Sequence, residues 1–162
     1  MAITANKHVN KQQIDIKNVG VLLYEGTTLS QTLTLPYTDL TRFEIFVSTT
    51  DSINTINFRV NGNSGGTDYK SLRYDIGTTT YVVSDLSESY LVGGRVNNYG
   101  LTKITLIKDS QGYINLQGTG GIDTSYLSIM LSKSTFTVTN ITSLYYLLSG
   151  TTNYIKIIGY KN

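Results

Sequence analysis

The 162-residue chain is 40% hydrophobic, with 13 Lys+Arg against 11 Asp+Glu and a formal net charge of +2 at pH 7; this is one domain's worth of residues and too apolar for a disordered segment. With no cysteine and a single histidine, His8, it excludes disulfide frameworks, zinc ribbons and iron–sulfur clusters, and a serine-hydrolase triad would have its base in a polar terminal segment. Charged residues are only 15% of the chain, Thr and Tyr are abundant and Ala is almost absent, a usage that favours pleated surfaces over helices.

In chain order, residues 1–18 are polar and predict an N-terminal arm or docking segment, followed by a single domain over 19–162. The arm lacks the apolar centre of a secretory signal, and no continuous apolar run approaches the ~20 residues a membrane-spanning helix needs. The expectation is therefore a chain made in a cytoplasm, with no membrane partner. From Val19 onward, short apolar runs alternate with turn signals at intervals of roughly 8–12 residues. Val19 to Glu25 is the first run. Gln31 to Leu35 follows, with leucines on one face and threonines on the other, and Pro36 stops it. In Arg42 to Ser48, Phe43, Ile45 and Val47 point inward. In Ile53 to Val60, Ile56, Phe58 and Val60 point inward, while Asn57 and Arg59 point out, the period of a half-buried strand.

Asn61-Gly62-Asn63-Ser64-Gly65-Gly66 is a turn cluster, because Asn and Gly tolerate positive φ. Strand-like runs continue at Lys70–Tyr74, Thr79–Val83, Ser89–Val96, Leu101–Lys108 and Tyr113–Gln117. Gly93-Gly94 interrupts its run and predicts a bulge or bend. Gly118-Thr119-Gly120-Gly121 predicts a hairpin turn, and Tyr126–Leu131, Thr135–Thr139 and Tyr154–Tyr160 complete the set. Asn140 to Leu148 is compatible with either a short capped helical turn or a strand. These runs have hairpin connections and no βαβ rhythm or internal repeat. They predict an all-β chain, an antiparallel β-sandwich of jelly-roll-like form with a short N-terminal arm. So few charges and a single proline leave strand edges unguarded, which predicts closure or a homotrimer.

The basic residues are dispersed, a solvated-face pattern that argues against nucleic acid as a partner. Gly118–Gly121 lacks the lysine and helix of a phosphate loop, and Asp109-Ser110-Gln111-Gly112 has too few carboxylates for a calcium loop and reads as a type I turn. No cofactor or metal site is expected. Asp85 with Glu88, or Asp68 with Asp75, would be the carboxylates of a glycan hydrolase, but spacing alone establishes no cleft. Asn140-Ile141-Thr142 matches a glycosylation acceptor by coincidence. The 13 tyrosines without a tryptophan are more informative, since amphipathic rings concentrate at interfaces. Two loops combine such rings with amides and charges suited to saccharide hydroxyls. They supply the candidate ligand-binding residues Asn61, Asn63, Asp68, Tyr69, Arg95, Asn97, Asn98 and Tyr99.

The strand Gly20-Val21-Leu22-Leu23-Tyr24-Glu25-Gly26, the stretch Leu33-Thr34-Leu35 with Tyr37-Thr38-Asp39-Leu40, Phe43-Glu44-Ile45-Phe46-Val47 and the closing Ile155-Lys156-Ile157-Ile158-Gly159-Tyr160-Lys161 carry a resemblance. Together they resemble the globular β-sandwich modules of tailed-bacteriophage fibres and related virion proteins. The resemblance runs from about Val19 to the end of the chain. It implies a non-enzymatic virion component (a head fibre, decoration protein or short tail-fibre knob), trimeric, docked to other virion proteins through its N-terminal arm and able to bind a host-surface glycan. A free-standing lectin-like module is the alternative, and a glycan hydrolase a third.

Overall fold

A computed structural model describes residues 19–49, 53–76, 81–96, 100–123, 126–149 and 153–161, so the expected arm over residues 1–18 lies outside the described residues. The described residues form twelve strands: β1 Val21–Gly26, β2 Ser30–Thr34, β3 Leu40–Thr49, β4 Ile53–Val60, β5 Tyr69–Ile76, β6 Tyr81–Glu88, β7 Leu91–Val96, β8 Gly100–Lys108, β9 Tyr113–Asp123, β10 Tyr126–Thr137, β11 Ser143–Leu148 and β12 Asn153–Lys161. They form an eight-stranded sheet in the order β1-β12-β3-β8-β9-β10-β5-β6 and a four-stranded sheet in the order β2-β11-β4-β7. Every pairing is antiparallel. The chain is thus an all-β, two-sheet sandwich.

The alternating residues that the pattern assigns inward fill the space between the sheets. Phe43, Ile45 and Val47 of β3 and Ile56, Phe58 and Val60 of β4 are fully buried, and they pack in one cluster with Ile104, Leu106, Leu144, Tyr146, Ile155 and Ile157. Each large aliphatic or aromatic side chain removed from water in this way contributes about 1.5–3 kcal/mol. The smaller sheet covers only part of the larger one. Two hairpins, β5-β6 and β9-β10, widen the larger sheet beyond β8, and β7 packs on β8, β9, β10 and β5.

One open reading is decided and two expectations change. Asn140 to Leu148 is no helical turn: Ser143–Leu148 is the strand β11, paired on both sides, with Leu144, Tyr146 and Leu148 buried. Residues 126–131 and 135–139 belong largely to one long strand, β10, whose ladder with β9 shifts register between Lys133 and Thr137. Ser134 makes the shift tolerable, because its hydroxyl accepts from the Ile114 N–H at 2.9 Å and donates to the Phe136 carbonyl at 2.7 Å. Finally, Gly118 is not in a hairpin turn. It lies inside β9, paired with Ile104 on one side and Met130 on the other, where the opposing sheet comes too close for any side chain.

Gly93-Gly94 is a bulge, as expected: the β4–β7 register slips around Ile56, which pairs with Gly94 while Asn57 pairs with Val92. The turn at Asp109 forms as well. The Gly112 N–H bonds to the Asp109 carbonyl at 3.0 Å, and Gly112 has φ +89°, a left-handed conformation that glycine adopts without a Cβ clash.

Candidate functional site

The loop leaving β4 is held by its own residues. Asn61 (φ 54°) and Gly62 (φ 74°) form a two-residue turn closed by the Asn63 N–H on the Val60 carbonyl at 3.1 Å, with positive φ at both central positions as a type I′ turn requires. The Asn61 amide nitrogen donates to the Asn140 carbonyl at 2.8 Å. Its oxygen accepts from the Thr142 N–H at 2.8 Å, the Thr142 hydroxyl at 3.0 Å and the Ser143 N–H at 3.2 Å. Asn63 turns back to the Val60 carbonyl, and Asp68 accepts from the Gly65 N–H at 2.6 Å.

Tyr69 is fully buried, its ring edge-on to Phe136, and its hydroxyl accepts from the Val60 N–H at 3.2 Å and donates to the Asn63 carbonyl at 3.1 Å. Burial pushes this hydroxyl above the ordinary tyrosine range. Its ring therefore presents no face to a sugar. The amides of this loop serve the fold, and Asn61→Ala should lower stability by about 2 kcal/mol, through lost hydrogen bonds and a left-handed backbone that alanine resists, read as a fall in urea midpoint at unchanged slope.

The described residues that flank the second candidate loop stand at the other end of the sandwich. Val96 pairs with Ile53 at the start of β4 and Gly100 pairs with Thr49, whereas Asn61 follows the end of β4. Arg95 belongs to β7, and Asn97, Asn98 and Tyr99 lie outside the described residues. Val96 and Asn61 thus lie at opposite ends of β4.

What the topology does bring together lies on the open face of the larger sheet, over the two added hairpins. A groove of about 540 Å³ runs across β5, β10, β9 and β8, a volume within the range of small-ligand sites. Register explains its lining. Lys70, Lys133, Asn115 and Ile107 stand in one cross-strand row, and Leu72, Leu131, Gln117 and Thr105 in the next. The alternate residues Ser71, Ser132, Leu116 and Leu106 point the other way and are buried. The floor is aliphatic, one rim carries two lysines and the centre carries two amides.

The rim has a built support. The Lys133 ammonium lies 4.3 Å from the Tyr113 ring centroid, a cation–π contact. Asp109 receives the Gln111 and Tyr113 N–H groups at 3.0 and 2.9 Å and the Asn115 amide nitrogen at 3.0 Å. Desolvation raises the Asp109 pKa, but these hydrogen bonds and the more distant Lys133 charge outweigh it and hold the carboxyl below the usual range. With its nitrogen committed, Asn115 keeps its amide oxygen as an acceptor.

Along the chain these lysines are scattered charges, and only the β5–β10 register makes them neighbours. Among the described residues, no three His, Cys, Asp or Glu side chains gather as a metal site. Compared with protein-family models, with curated proteins and with solved structures, the chain matches none of them.

Proposed function

We propose that this chain is a non-enzymatic binding component of a bacteriophage particle that engages a host-surface glycan through the groove on the open face of its larger sheet. The groove carries the binding half of this reading: an aliphatic floor for the C–H faces of a sugar ring, flanked by amides and ammonium groups for its substituents, on paired strands that need no reordering to bind. The particle-borne half is supported by the resemblance of the opening and closing strands to fibre modules. Self-association as a homotrimer is supported by Leu22, Leu101 and Tyr154, which are 54%, 65% and 36% exposed on the same sheet face, outside the groove. A jelly-roll wrapping is supported by the nested order of the strands, with β1 beside β12 and β3 beside β8 in one sheet, and β2 beside β11 and β4 beside β7 in the other.

The test has two readouts, detection of the chain in purified virions and binding of the recombinant protein on a glycan array. Presence in particles together with glycan binding is the expected result. Glycan binding without presence in particles would assign a free-standing lectin-like module instead, and absence of both would overturn the proposal.

A further inference from the structure

Resting on that reading, we infer that the groove takes an anionic saccharide, with a carboxylate or phosphate group of the sugar held between Lys70 and Lys133. The two lysines face each other directly across the β5–β10 ladder. Directly opposite residues have Cβ atoms about 4.5–5.5 Å apart, and like charges there destabilise the pair. Both side chains are exposed, and both line the groove. Among the described residues, neither ammonium is in an ion pair: the Glu44 carboxylate is engaged by Lys103 at 3.3 Å and by the Tyr160 hydroxyl at 3.1 Å, and Asp109 is filled by its three donors. Among the described residues no ion pair offsets the repulsion at the rim, since Asp109 feels the Lys133 charge only from a distance, and an anion between the two ammonium groups relieves it.

The rest of the groove suits a sugar carrying that anion. Leu72 and Leu131 stand side by side as an apolar patch, Leu131 40% exposed, and Ile107, 39% exposed, lies across the β9 amides from them. The free oxygen of Asn115 and the exposed amide of Gln117 face the positions where ring hydroxyls would lie once an acidic group is seated at the lysines. The Lys133 ammonium rests over the Tyr113 ring on β9 and must turn from it toward β5 to share an anion with Lys70.

Affinity electrophoresis of the full chain through gels carrying polygalacturonate, poly(glycerol phosphate) or neutral dextran tests this directly. The expected result is retardation by at least one of the anionic polymers and none by dextran, and which polymer retards the protein distinguishes a carboxylate from a phosphate. Lys70→Gln with Lys133→Gln should weaken that retardation tenfold or more, and Lys70→Arg with Lys133→Arg should retain it. The Gln pair loses the cross-strand repulsion along with the Lys133–Tyr113 contact and should melt close to the parent. Gln117→Glu, which leaves both lysines in place and adds a negative charge to the groove, should also weaken binding and decides the matter should the double variant not fold. Retardation by dextran alone would overturn the anionic class while leaving a glycan-binding groove standing. Retardation by no polymer would overturn both. Retardation by an anionic polymer that ignores these substitutions would remove the lysine pair from the site.

Discussion

Gly118→Val should leave little or no folded protein, with a loss on the order of 4 kcal/mol or more and soluble yield falling with it. A Cβ at Gly118 would overlap the carbonyl oxygen of Gly93 in the opposite sheet and lie 2.8 Å from its carbonyl carbon. The obstacle is backbone, which cannot swing aside as a side chain can. The approach is close from both directions: a Cβ on Gly93 would stand 2.8 Å from the Ile104 Cδ1 and 2.9 Å from the Phe58 Cε2. To admit a side chain, the sheets must part locally, and the packing of Ile104 and Phe58 is lost with the displacement. Gly66→Ala is the matched control, since nothing lies within 4 Å of a Cβ there and its φ is ordinary. It should be neutral or slightly stabilising by restricting the unfolded chain. Urea midpoints for Gly118→Ala, Gly118→Val and Gly66→Ala form the series, and a Gly118→Val protein as stable as the parent would refute the contact.

Ser132→Ala should cost about 2–4 kcal/mol, far more than the average for removing a hydroxyl. The Ser132 oxygen accepts from the Val92 N–H at 3.1 Å and donates to the Val92 carbonyl at 2.9 Å, so one hydroxyl satisfies both backbone groups of a strand residue beside the bulge. Its single proton is committed to that carbonyl, which makes Ser71 the donor in the 2.8 Å Ser71–Ser132 hydrogen bond. Both serines are buried, at 2% and 5% exposed. Alanine at 132 strands three buried polar groups at once. Alanine at 71 removes only a donor to an oxygen that keeps its other two bonds, and should cost about 1 kcal/mol. Amide exchange at Val92 provides a site-specific readout, accelerated strongly by Ser132→Ala and little by Ser71→Ala. Equal effects of the two variants on both stability and exchange would overturn this assignment of the proton.

These two sites show why periodicity reads some positions and not others. The inward set Phe43, Ile45, Val47, Ile56, Phe58 and Val60 was legible because alternation with a period of two is local, and burial of one face follows from it. The serines at 71 and 132 obey the same alternation, yet as polar residues they gave no sign of facing inward. Gly118 sits in a run of glycines that reads as a turn from its neighbours in sequence, whereas its reason for being glycine is a carbonyl on another strand. Asn61 and Tyr69 have the chemistry a saccharide needs, but hydrogen-bond partners from Asn63, Val60 and residues 140–143 claim their polar groups for the fold.

By itself, then, the sequence determined the class and most of the strands. β-branched and aromatic residues alternating over short runs between Gly, Asn and Asp turns leave an antiparallel sandwich as the way to bury one face of each strand. Only the tertiary structure decided which of those strands lie side by side, and with that the groove. Lys70 and Lys133 are dispersed charges until the β9-β10 hairpin folds back beside β5 and sets them opposite one another. Pairing of strands distant in the chain depends on how every inward face packs at once, and no local pattern encodes it.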